Sequence, residues 1–155
     1  MKSLGCAYPD GSCLWTKHQR AARAGWAVLQ LNKEGKVAAV GPGRVGQSFR
    51  QVAVEVGHHA ALQGMVAAEP GVCFQCDCAG VVSFARKPYR VAAGARQNFA
   101  EYAKDRAKAT GKRGHLRGFQ KVKAHRTLEE IAGLAEEEKE YWLGNKEVDS
   151  YAKEA

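Results

Sequence analysis

The sequence predicts one α/β domain with a mixed sheet, and three features predict it. Short apolar runs separated by turn residues fill the first third of the 155 residues. Hydrophobic spacing then becomes helical, and strand-like and helical segments alternate to the end. The length accommodates one compact domain, 1–155. Three hairpin-like strands ahead of alternating helices and strands imply a sheet that begins antiparallel and carries helices on its faces.

The elements follow in order. Residues 4–15 (LGCAYPDGSCLW) look extended around a D-G-S turn signal. Residues 24–31 and 36–41 are apolar runs joined by NKEG, which suits a β-hairpin with a Gly-containing loop, and 43–48 (GRVGQS) reads as a loop. A helix is expected from about Phe49 to Ala68, stopped by Pro70-Gly71. The run 72–77 predicts a strand ending near Asp77, followed by a short helix over 79–86 that Lys87-Pro88 breaks. A longer basic helix over 92–109, a strand over 117–124 and two helices over 127–141 and 145–154 complete the chain.

Net charge is +8, from 24 Lys+Arg against 16 Asp+Glu, and this excess favours a polyanionic partner. The charge is uneven. Residues 86–123 hold 12 basic against 2 acidic side chains, whereas 126–155 hold 4 against 9. A basic block is either a nucleic-acid footprint or a solvated helix face. Tyr89, Phe99 and Tyr102 lie within it and read either as base-stacking groups or as helix core. No apolar run is long enough to span a membrane, and the first residues lack the apolar segment of a signal peptide, so an intracellular location is expected, nucleus and cytoplasm being equivalent on this reading. Five cysteines, an odd number, suit a reduced compartment; Cys73, Cys76 and Cys78 have no second pair to complete a zinc knuckle.

The chain has four Asp residues: Asp10, Asp77, Asp105 and Asp149. Asp10 and Asp77 sit in apolar, strand-like surroundings, Glu55 lies inside a mostly apolar helix, and Asp149 is expected near the start of the last helix. Carboxylates placed where burial is expected need compensating charge. No basic residue adjoins any of them, and a hard divalent cation with oxygen ligands is the economical partner. Each acid alone also reads as a partly exposed turn or helix residue.

Taken together these segments resemble type 1 ribonuclease H. Tyr8-Pro9-Asp10-Gly11-Ser12 resembles that family's T-D-G-S strand, and Ala24-Gly25-Trp26-Ala27-Val28 its second strand. Val54-Glu55-Val56 is similar to the helical A-E-L, Cys76-Asp77-Cys78 to T-D-S, and Val122-Lys123-Ala124-His125 to the W-V-K-G-H strand end. Gly144-Asn145-Lys146-Glu147-Val148-Asp149 resembles the G-N-x-x-A-D helix start. The resemblance covers residues 4–154, with Pro9 standing where the family carries Thr and with a longer stretch between His125 and Asp149 that reads as an acidic helical insertion at about 126–143.

The resemblance implies a ribonuclease H-like, five-stranded mixed sheet with helices on both faces. It implies a metal-dependent endonuclease that hydrolyses the RNA strand of RNA/DNA hybrids and leaves 5′-phosphates, with two Mg²⁺ ions (Mn²⁺ substituting) held by Asp10, Glu55, Asp77 and Asp149. His125 becomes a helper to catalysis, and Gly11, Ser12, Lys123 and Asn145 become substrate contacts. The partner is a hybrid duplex read mostly by shape and backbone. A free-standing monomer and a retroelement-type domain joined to reverse transcriptase or other polyprotein domains both remain open. So do a nuclease of the same superfamily acting on another nucleic acid, and a non-catalytic nucleic-acid-binding module.

Overall fold

The computed structural model describes residues 5–14, 23–32, 34–44, 53–67, 72–97, 99–110 and 118–155; of 14, 53–55 and 109–110 it describes the backbone alone. The strands are β1 (Cys6–Leu14), β2 (Arg23–Leu31), β3 (Val37–Arg44), β4 (Cys73–Cys76) and β5 (Phe119–Lys121). The helices are α1 (Ala53–Ala67), α2 (Ala79–Arg86), α3 (Tyr89–Ala92), α4 (Ala100–Thr110), α5 (Leu128–Ala132) and α6 (Glu136–Glu154). The sheet order is β3-β2-β1-β4-β5, with β1–β2 and β2–β3 antiparallel and β1–β4 and β4–β5 parallel. The mixed five-stranded sheet expected from the sequence is therefore present.

The β2–β3 hairpin turns where NKEG predicts it. The Asn32 side chain accepts from the backbone N–H groups of Glu34 and Lys36 at 2.9 and 3.0 Å, and Gly35 takes a φ of +71° that other residues adopt with strain. No turn forms at Asp10-Gly11-Ser12: β1 runs through them, pairing Asp10 with Ala27, Gly11 with Trp26 and Ser12 with Gly25. Pro9 sits in this central strand with no N–H to give, and the ladder to β4 reaches only Cys6 and Ala7.

Alternation along β1 decides which helix each side chain meets. Ala7 faces α1 and joins Ala61, Met65, Phe74 and Val81 in one core. Tyr8 faces the other way and packs with Ala27, Leu29, Val148 and Ala152. Gly11 returns to the α1 side, where a Cβ would lie 2.5 Å from the Gly57 nitrogen, so helix and strand backbones meet directly. Asp10, between Pro9 and Gly11, is left on the α6 side. Parallel Phe74 and Phe119 stack at 4.9 Å and lock β5 to β4.

Four expectations need correction. β3 does not end at residue 41: it continues to Arg44, because Gly43 lies flat under the Trp26 indole and the Arg44 Nε donates to the carbonyl of Ala155; residues 45–50 lie outside the described residues, as does Trp15. The basic helix over 92–109 is two pieces, a single turn α3 led by Pro88 and then α4 from Ala100, since the backbone turns at 93–96. Of the strand expected over 117–124, residue 117 lies outside the described residues, and among the rest only Phe119–Lys121 is strand, followed by an irregular segment whose Val122 N–H still reaches the Cys76 carbonyl at 3.0 Å.

Finally, no helix ends at residue 141. α5 is a short helix opened by a Thr127–Glu130 capping box and ended at Gly133, and α6 runs unbroken for 19 residues through Gly144-Asn145. Gly144 does not break the helix; it lets the helix seat on Tyr8, whose ring carbon Cζ would lie 2.4 Å from a Cβ there. Asp149 accordingly lies well inside α6, not at its start. Gly144→Ala is expected to cost about 1–3 kcal/mol by overpacking. In a Tyr8→Leu background the same change should cost at least about 1 kcal/mol less, measured as a double-mutant cycle in urea.

Candidate functional site

Four elements deliver the predicted residues to one end of the sheet. β1 presents Asp10 on the α6 side, β4 ends immediately before Asp77, α6 carries Asn145 and Asp149 one turn apart, and His125 lies on the segment after β5. The Asn145 Nδ2 donates to Asp77 Oδ2 at 3.3 Å, which ties α6 to the end of β4. Asn145 is itself buried, and its Oδ1 has no hydrogen-bond partner.

Asp10 is 9% exposed, and its carboxyl is pushed up to about 7. Burial is the larger cause, followed by the negative charge of Asp77; Asp149 adds to it, while the Gly11 N–H and the Lys153 ammonium oppose it. Lys153, one turn beyond Asp149, donates to the Asp149 carboxylate.

Beside these acids opens a groove of about 560 Å³. Asp77, His125, Asn145 and Asp149 all contribute to its walls, with Arg126, Trp142, Lys146 and Lys153 among the others. The Trp142 indole N–H donates to the Ala124 carbonyl at 3.1 Å, fixing the His125 segment against α6. His125 is exposed on this wall. Asp10 is not among the lining residues and is coupled to them through the charges of Asp77 and Asp149.

The other expected contacts fall elsewhere. Gly11 is pressed against α1 and Ser12 is half-buried; neither lines the groove. Lys123 is exposed and ion-paired with Glu130 at 2.7 Å. Glu55 is on α1, next to the Val56–Gly57 backbone that meets Gly11, but its side chain lies outside the described residues. Among the described residues no three His, Cys, Asp or Glu side chains stand close enough to hold one metal ion.

Sequence reasoning missed Trp142, Lys146 and Lys153 as groove residues, although with Asp149 they form one helical row at spacings of four, three and four. The expectation of separate helices over 127–141 and 145–154 split that row. The basic block, in turn, spends several cations on its own architecture: Arg86 donates to the Phe119 carbonyl at 2.8 Å, Arg106 to that of Ala85 at 3.0 Å, and Lys104 pairs with Glu101. Phe99 and Tyr102 pack against buried His58 with ring centroids 4.3 and 5.8 Å away, and burial holds that imidazole down to about 4. Tyr89 is exposed, and half-buried His59 meets Trp26 edge-on at 5.5 Å.

No protein-family model and no curated protein matches this chain. Solved structures do. The chain is similar to the protease–reverse transcriptase of prototype foamy virus (TM-score 0.69, 17% identity), covering 99% of this chain but only 21% of that one. The solution structure of the PFV ribonuclease H domain aligns with TM-score 0.68 at 18% identity, over 97% of this chain and 92% of that one. LC11 ribonuclease H1 in complex with an RNA/DNA hybrid aligns with TM-score 0.61 at 12% identity, over 97% and 94%. With its three antiparallel strands, two parallel strands and flanking helices, this chain has the ribonuclease H fold.

Proposed function

We propose that this chain is a metal-dependent endonuclease that hydrolyses the RNA strand of RNA/DNA hybrids. The observation that carries this reading is the meeting of Asp10, Asp77 and Asp149 in one electrostatic cluster, beside a groove that also holds His125 and Asn145. The bound hybrid in the LC11 structure supports the choice of substrate.

The donor set fits a hard divalent cation. Its ligating atoms are carboxylate oxygens, burial and then the neighbouring carboxylates raise the Asp10 carboxyl, and a buried carboxamide oxygen of Asn145 beside them has no partner. Asp10, Asp77 and Asp149, joined by Glu55, would hold two Mg²⁺ or Mn²⁺ ions, which supply Lewis acidity to the attacking water and to the departing 3′ oxygen and so leave 5′-phosphate ends. The protein's own groups do the positioning. Asn145 keeps the Asp77 carboxylate aimed by donating to Oδ2. His125, exposed on the groove wall, takes or returns a proton through an imidazole nitrogen. Arg126 and Lys146 offer positive charge to the phosphates of the strand in the groove.

A labelled RNA/DNA hybrid incubated with Mg²⁺ should be cut in its RNA strand, with 5′-phosphate products. EDTA should stop the reaction, and Asp10→Asn or Asp77→Asn should slow it at least about a hundredfold while leaving hybrid binding in place. Salt-sensitive binding without any cutting by the unaltered chain would overturn the proposal.

The charge cluster also sets a pH dependence. Asp10 titrates at about 7 in the folded chain against 3.8 as its ordinary value, so folding is favoured by its proton at low pH and that contribution is lost as pH rises from about 4 to 7. The loss amounts to at most about 4 kcal/mol. In metal-free buffer Asp10→Asn should therefore raise the melting temperature at pH 8 and flatten the decline between pH 4 and 7; a variant less stable than the parent at pH 8 would refute the buried-charge account.

A further inference from the structure

Three cations stand on the groove wall near the acids, and they are disposed differently. The Lys146 ammonium lies over the Trp142 ring, 5.2 Å from its centroid. The charge of Arg126 acts on Glu130 of the capping box. Lys153 alone of the three is directed at the carboxylates: it donates to Asp149 and its charge reaches Asp10. Its side chain is 55% exposed, so its stem has room to move.

We propose that Lys153 is a resident counter-ion of the carboxylate cluster, holding Asp149 in the metal-free chain and giving it up when a divalent cation enters. The inference rests on the metal-dependent reading above and adds a residue that governs the affinity of that step. An ammonium and a divalent cation compete for the same carboxylate oxygens, and as like charges at close range they repel. In the arrangement described, Asp149 is engaged by Lys153 and no three of the described side chains converge on one ion. Releasing Lys153 frees the Asp149 carboxylate to join Asp10 and Asp77. The four-residue spacing on α6 makes this contact a property of the helix itself, independent of any bound substrate.

The test is thermal melting of the whole chain across a Mg²⁺ titration at constant ionic strength, for the parent, Lys153→Met and Lys153→Arg. Met keeps the stem and removes the charge; Arg keeps the charge. The Mg²⁺ concentration giving half of the full stabilisation should fall about two- to fivefold in Lys153→Met, the size expected of one half-exposed ion pair, and stay near the parent value in Lys153→Arg. A purely structural role would lower the melting temperature of Lys153→Met at every Mg²⁺ concentration without moving the half-saturation point, and that result overturns the inference. Should Lys153→Met fail to fold, Lys153→Gln carries the same comparison. A parent chain that Mg²⁺ neither stabilises nor activates defeats the metal-dependent reading as a whole; a parent that Mg²⁺ stabilises, with an unshifted Lys153→Met, defeats the inference alone.

Discussion

Tyr8 occupies the space under α6 where any residue larger than glycine at position 144 would have to put its side chain. That contact sets the height and rotation of a 19-residue helix against the central strand. Tyr8 and Asp10 are on the same face of β1, two residues apart, and Gly144, Asn145 and Asp149 are on the helix that covers it. Seating Gly144 on Tyr8 therefore brings Asn145 to Asp77 and Asp149 to the neighbourhood of Asp10. On the opposite face Gly11 does the equivalent for α1, meeting the Val56–Gly57 backbone so closely that a Cβ at position 11 has no room. Two close approaches, one on each side of β1, hold the acidic end of the sheet in place.

That end is electrostatically expensive. Three carboxylates bear on one another where one of them is nine-tenths buried, and the Asp10 carboxyl is raised first by that burial and then by the charges of Asp77 and Asp149. The hydrogen bonds available there, from the Gly11 N–H to Asp10 and from Asn145 to Asp77, offset only part of it. A fold optimised for stability alone would place apolar side chains at such positions. The acids stand at the meeting point of two strands and a helix, and Lys153 donates to Asp149 there.

The positive charge is used differently from what its sequence distribution suggests. Much of the described basic block is internal bracing: Arg86 and Arg106 cap carbonyls, and Lys104 and Lys108 form ion pairs along α4. Arg90, Arg96 and Lys121 are exposed. The cations lining the groove come instead from the acidic segment 126–155, at Arg126, Lys146 and Lys153, where regional net charge gives no hint of them. From the stretch between His125 and Asp149, Thr127 and Glu130 of the α5 capping box and Trp142, Asn145 and Lys146 of α6 line the groove.

The amino-acid sequence by itself determined the local events, because each depends on a few neighbouring residues. Asn32 and Gly35 turn the hairpin, Pro88 separates α2 from α3, and alternating apolar residues in 24–31 make a strand buried on its α6 side. It also displayed Asp10, Asp77, His125, Asn145 and Asp149 as a set through short motifs whose order matches a known fold. Tertiary structure decided what sequence neighbours do not encode. The segment reads locally as two helices separated over 142–144, yet α6 runs through it, with Gly144 seated on the ring of Tyr8, more than a hundred residues away. Gly11-Ser12 reads as a turn, yet pairing with β2 keeps it extended and leaves Gly11 facing α1. The row from Trp142 to Lys153 became visible only once that helix was continuous, because side chains share a face through unbroken helical geometry and not through proximity in sequence.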